Sequence, residues 1–186
     1  MSDVHILHVL PWRVEALIGK KPVGQAFDDE GPCGAEWLEA ATSCGMVEVQ
    51  LRLGRMLLTG EGLPVDRRAA FACFLNASAG GNAEAQNLLG RCYENGWGVA
   101  SDCEAARVCY RLAAEKGDFR GAHNHACMLA AQGCIAGALH WLARGIGDAP
   151  EPLRQQMLKA LAGHPHCAIR TFARRELEFP LVARTD

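Results

Sequence analysis

Three short constellations in this chain hold residue types that could do chemistry. His123, His125 and Cys127 form an HxHxC run, His164, His166 and Cys167 form HPHC, and Asp28, Asp29 and Glu30 are contiguous acids. Imidazole and thiolate are ligands for zinc and related metals, so the first two raise metal-linked or redox chemistry. In a helix advancing about 100° per residue, His123 and Cys127 share a face while His125 points elsewhere. Two ligands at that spacing can begin a metal site and cannot complete one. HPHC falls at a helix start, where loop and capping roles are commonplace, and the acidic triplet reads as solvated loop charge. Gly60-Glu61-Gly62 and Gly96-Trp97-Gly98 look like phosphate-cradling loops, but such loops follow strands, and these follow helices. No hydrolase triad can be assembled from the scattered histidines and acids. The chain is therefore not expected to be an enzyme, and no catalytic residue, metal ligand or cofactor is assigned.

The elements that would position these residues are written as a repeat. Residues 45–80 and 81–116 align without a gap, and 13 of the 36 positions are identical. The matches include Leu53/Leu89, Gly54/Gly90, Arg55/Arg91, Gly60/Gly96, Gly62/Gly98, Asp66/Asp102, Ala69/Ala105, Ala70/Ala106 and Ala77/Ala113. A period in this range marks stacked supersecondary units. Each unit reads as a helical hairpin. In the second, Asn82 caps a leading helix of about 84–95 with Ala85, Leu88, Leu89, Cys92 and Tyr93 on one face. Gly90 lies beside that stripe and would let the partner helix approach closely. The glycine link then leads to a trailing helix opened by a Ser101/Glu104 capping box or by Asp102, and buries Ala105, Ala106, Cys109, Tyr110 and Ala113. Gly45, Gly81 and Gly117 recur as helix stops that need positive φ. A third copy starts at Gly117 with its link shortened to Gly133-Cys134, and by the repeat alignment His125 takes the core position of Leu89. Two further helices, 150–162 and about 166–178, read as a cap. Upstream, residues 35–45 resemble a trailing helix, and 19–34 a linker rich in Gly, Pro and charge.

Composition narrows the class further. Nineteen basic and 21 acidic residues leave a formal charge of -2, with no electrostatic footprint for nucleic acid. No apolar run reaches the roughly 18–20 residues needed to span a bilayer. The start carries Asp3 and is broken by His5, His8 and Pro11, so no signal peptide is read and a cytoplasmic location is expected. Nine cysteines are then expected to be reduced, buried, small hydrophobes, and their odd number forbids complete internal pairing.

The segment AEAQNLLGRCYENGWGVASDCEAARVCYRLAAEKGD resembles the Sel1-like repeat, a relative of the tetratricopeptide repeat. The resemblance rests on Ala85, Leu89-Gly90, Tyr93, Gly96-x-Gly98-Val99, Asp102, Ala105-Ala106, Tyr110, Ala113-Ala114 and Gly117, and it covers about 33–146. Repeat one has Leu57 and Phe74 at the two aromatic positions. The family implies an all-α fold, an α-α superhelix (solenoid) of helical hairpin repeats, used as an adaptor or scaffold, commonly in bacterial signalling and envelope processes. A cysteine-rich subgroup staples each hairpin with cysteines eight residues apart; the equivalent sites here, Ser78/Gln86 and Ala114/Ala122, carry none. The expected organisation is an N-terminal segment and linker (1–32), a solenoid (33–179) with repeats at about 45–80, 81–116 and 117–146 plus flanking cap helices, and a tail (180–186). In tetratricopeptide-type solenoids the outer face of the leading helices lines a groove. Its candidate partner-binding residues are Leu51, Arg55, Leu58, Asn87, Arg91, Glu94 and His123, taken as exposed, with the chain's apolar start a possible cover for Leu51 and Leu58. The expected function is a non-catalytic protein-interaction adaptor that binds a partner protein or peptide, with no nucleic acid, membrane insertion or small-molecule substrate inferred. The alternative is a small metal- or redox-linked accessory protein using His123 and Cys127 with further cysteines.

Overall fold

A computed structural model describes residues 47–180, which form eight α-helices and contain no strand. In chain order they are α1 (Val47–Thr59), α2 (Arg67–Ala79), α3 (Ala83–Asn95), α4 (Cys103–Glu115), α5 (Phe119–Ala131), α6 (Ile135–Asp148), α7 (Glu151–Leu161) and α8 (Cys167–Glu178). The described residues divide into two compact units, 47–80 and 81–180. In the first, α1 and α2 pack as a hairpin. In the second, α3 packs on α4, α5 on α6 and α7 on α8, with α4 against α5, α3 against α5, and α6 touching both α7 and α8. The expected helix upstream of the repeats, the linker and the apolar start lie outside the described residues.

Local chemistry explains where the helices begin. Asn82 caps α3, its Oδ1 accepting from the Ala85 amide at 2.8 Å. The trailing helix opens on Asp102 rather than on a Ser101/Glu104 box: Asp102 Oδ1 accepts from the amides of Glu104 and Ala105 at 2.9 and 3.0 Å. A carboxylate one residue later reaches two orphan amides and suits the positive end of the helix dipole, so it outcompetes the hydroxyl. Asp66 caps α2 identically, and Asp118 caps α5. At the other ends, Gly96 is left-handed at φ 69° and closes α3, and the stops at Gly81 and Gly117 have φ of 89° and 88°. Lys116 Nζ reaches back to the Gly81 carbonyl at 3.2 Å, tying the end of the second hairpin to its start.

Packing follows the repeat. A Cβ built on Gly90 would sit 2.7 Å from the Tyr110 ring and 3.3 Å from the Ala106 carbonyl, so only glycine allows α4 this close. Gly54 plays the same part against Phe74, whose ring would lie 2.6 Å from such an atom. In the third hairpin Ala126 stands at the glycine position, within a core that includes Ala138, Leu142, Ile146, Leu158, Leu161, Ile169 and Ala173. Helices α7 and α8 thus supply part of the apolar cover for α6. Burial of thiols is narrower than expected. Cys73 and Cys92 are buried and Cys109 half-buried, but Cys103, Cys127, Cys134 and Cys167 are exposed. Three of those four stand at or just before a helix start, where no neighbouring helix covers them.

Candidate partner-binding site

Leading helices carry the candidate stripe, and each unit presents it separately. In α1, Arg55 is exposed and Leu58 half-buried, whereas Leu51 is buried at 4% exposure. The expectation that Leu51 is an exposed leucine is corrected. Val49, Gln50, Leu51, Leu53, Gly54 and Met56 are all buried in α1, so the helix is covered on more than one stripe. In α3, Arg91 and Glu94 are exposed, but Asn87 is buried at 2% exposure. Its Oδ1 accepts from Asn124 Nδ2 at 2.9 Å, on α5. The physical reason is that α3 and α5, the leading helices of the second and third hairpins, lie side by side, so the flank of the stripe becomes a helix–helix joint.

The rest of that stripe opens into a cleft of about 390 Å³ within the second unit. Helix α3 contributes Asn87 and Arg91; α5 contributes Phe119, Arg120, His123 and Asn124; α7 contributes Leu153, Gln156 and Met157. Three of the expected residues, Asn87, Arg91 and His123, therefore line one cavity. Glu94 is exposed but accepts a hydrogen bond from the Tyr110 hydroxyl at 2.6 Å, and this bond joins burial in pushing the phenol far above its usual range. Its carboxylate serves the hairpin it belongs to. Leu51, Arg55 and Leu58 belong to the other unit. Sequence reasoning missed Phe119, Arg120, Asn124 and the three α7 residues. Arg120 had a signal, because it stands one period after Glu84 and reverses its charge; α7 lies outside the period and had none.

The cleft's electrostatics come from two guanidinium groups. Arg91 lies over the Trp97 ring, 5.1 Å from its centroid, and Arg120 over the Phe119 ring at 4.5 Å. Stacking of this kind holds the fork of N–H donors in place without consuming it. Neither arginine forms an ion pair among the described residues. His123 adds a neutral imidazole, since burial lowers its pKa, and its Nδ1 is buried without a hydrogen-bond partner. His123 Nε2 and Cys127 Sγ stand 3.7 Å apart, as the helical spacing required. No third His, Cys, Asp or Glu joins them among the described residues in a group that could hold a metal ion. His125 lies elsewhere, buried at 3% exposure with its ring edge-on to Trp141 at 5.5 Å. His164 and His166 act locally, each accepting a backbone amide two residues on at the start of α8.

Comparison with known proteins bears on the repeats and the fold. Residues 47–82 and 83–118 each match the Sel1 repeat model, and the chain belongs to the Sel1 repeat family. Proteins of this family are generally interaction scaffolds and typically non-catalytic. A Sel1 repeat protein from Oxalobacter formigenes is 34% identical, with 50% of this chain and 69% of that one covered and a TM-score of 0.47. A protective antigen of uropathogenic Escherichia coli with an SLR fold is 23% identical, with 75% of this chain covered and a TM-score of 0.61. The match spans 31% of that antigen's length, and it shows the fold alone: an all-α solenoid of helical hairpins. No curated protein matches the chain. Among the described residues no helix is long and apolar enough to cross a membrane.

Proposed function

We propose that this chain is a non-catalytic scaffold that binds a partner protein or peptide through the exposed face of its leading helices. The observation that carries the reading is the cleft on that face, where three helices converge on a mixed wall of arginine, amide and apolar side chains. Such a wall suits a protein surface, because arginine forks to polar groups and lies over apolar ones. Within the seven-residue stripe, Arg55, Leu58, Arg91, Glu94 and His123 keep accessible surface for contact, while Leu51 and Asn87 support the helices that present them. The proposal includes a reducing, cytoplasmic setting, supported by Cys73 and Cys92 packing as small apolar side chains in the core.

Photocrosslinking in the native cell tests it. A photoreactive amino acid placed at Glu94 should trap a discrete partner, and one placed at Arg111, exposed on α4, should not. Arg55→Ala combined with Arg91→Ala should reduce trapping and leave the melting temperature nearly unchanged, as exposed positions allow. Equal trapping from both faces would overturn the assignment of the leading-helix face.

A further inference from the structure

The cleft also says what kind of partner segment it fits. None of its lining side chains is acidic, and its two cations, Arg91 and Arg120, are exposed, stacked on aromatic rings and without an ion-pair partner among the described residues. This holds in a protein whose formal charge is -2, so the cleft is a local reversal of sign. Of the acids near these helices, Glu94 accepts from Tyr110 at 2.6 Å and Glu151 pairs with Arg154 at 2.9 Å, while the Asp118 cap accepts from the Arg120 amide at 3.0 Å and its carboxylate also acts electrostatically on the Arg120 guanidinium. Beyond the arginines the wall carries the amides of Asn87, Asn124 and Gln156 and the His123 imidazole, and on α7 Leu153 and Met157 add an apolar patch.

We propose that the cleft takes an acidic peptide segment: one or two carboxylates forked by Arg91 and Arg120, next to an aliphatic or aromatic side chain seated on Leu153 and Met157. The inference rests on the scaffold reading and specifies its partner. The recognition uses charge-assisted hydrogen bonds from preorganised guanidinium groups, so little side-chain freedom is lost on binding. Met157 adapts its unbranched side chain to the shape of the incoming apolar group.

The test is selection of a random peptide library on the full chain, followed by fluorescence anisotropy with the peptides it yields. Selected peptides should place Asp or Glu beside Leu, Ile, Phe or Met. Their affinity should weaken about 10- to 100-fold in Arg91→Gln with Arg120→Gln, the loss expected for one or two hydrogen bonds to a charged group. Binding should also fall as salt is raised, since exposed charges are screened. The melting temperature of the double variant reports separately that it folds. Selected peptides without acids, or acidic ones whose binding ignores the double variant, overturn the acidic assignment while leaving the scaffold reading intact. A library that yields no peptide, together with no crosslinked partner at Glu94, overturns both. A synthetic Phe27-Asp28-Asp29-Glu30 peptide that outcompetes every selected sequence would assign the cleft to the protein's own acidic segment and overturn the foreign partner.

Discussion

Replacing Gly90 by alanine sets two opposed effects against each other at one carbon atom. Alanine is a better helix former than glycine by about 1 kcal/mol in a helix interior, and this alone would stabilise α3. Against it, the new Cβ would lie 2.7 Å from two carbons of the Tyr110 ring and 3.3 Å from the Ala106 carbonyl. That ring cannot swing aside cheaply. Tyr110 is wholly buried and its hydroxyl is held by Glu94 at 2.6 Å, so moving it disturbs both the packing and the bond. Overpacking costs about 1–3 kcal/mol, and a strained hydrogen bond pushes the figure towards the upper end. The net expectation is a loss of about 1–2 kcal/mol, or about 2–8 °C in Tm for a chain of this size. Gly147 of α6 provides the control, because a Cβ there would meet nothing within 4 Å. Gly147→Ala should therefore stabilise by up to about 1 kcal/mol. Urea and thermal unfolding followed by far-ultraviolet circular dichroism would measure both. If Gly90→Ala raised stability as much as Gly147→Ala, the close crossing of α3 and α4 would be refuted. Gly90→Leu should be worse than Gly90→Ala, since it adds three carbons to the same contact.

Further expectations follow from caps, thiols and histidines. Asp102→Ala removes the side-chain oxygen that satisfies two amides of α4 and should cost about 1 kcal/mol in urea unfolding, with Asp102→Asn recovering most of it. Thiol labelling mapped by mass spectrometry should find Cys103, Cys134 and Cys167 reactive in the native protein, and Cys127 slower, because burial and the Glu94 charge raise its pKa. Cys92, whose pKa is pushed up to about 11 by burial, should label only on unfolding, and equal rates at Cys92 and Cys103 would contradict the burial. His125 titrates below its ordinary value because of burial first and the positive charges of Arg107 and Arg111 second, with Glu115 opposing them. A histidine whose folded pKa is lowered leaves stability intact above its unfolded pKa of about 6.5 and loses it as pH falls from there towards the folded value. Melting at about pH 7.5 and about pH 5 should therefore show a loss at the lower pH that His125→Leu reduces, and an unchanged difference in that variant would clear His125 of the effect.

Much of the fold was legible because the repeat states its geometry twice. The glycine at 54 and 90, opposite Phe74 and Tyr110, and the stops at 81 and 117 are constraints that few residues besides glycine satisfy, so reading their spacing located the hairpins of α1–α4 to within a residue or two. The third hairpin was legible from its decayed copy, and His125 proved to be a core residue as the alignment required. The candidate site was harder, for two reasons. A leading helix in a stack has neighbours on its flanks as well as beneath it. The residue opposite the main stripe can therefore be buried, as Asn87 is against Asn124. The second reason is that α7 shares no period with the hairpins, so nothing in the repeat pattern could announce that Leu153, Gln156 and Met157 complete the cleft. Cysteine placement failed on a different ground: composition counts thiols but does not distinguish a helix start such as Cys134 from a core position such as Cys92.

The Asn87–Asn124 hydrogen bond has a consequence for how such a chain can grow. Asn124 stands one period after Leu88, so only the third hairpin offers an amide at that phase. A tandem duplication of the second hairpin would set the buried Asn87 of one copy against Leu88 of the next. It would strand a polar group at a cost of about 1–3 kcal/mol. The joint thus works as an address, admitting its present neighbour and penalising a copy of itself. Gain or loss of whole hairpins at this point would need a compensating change at 87 or its partner before the new order became stable.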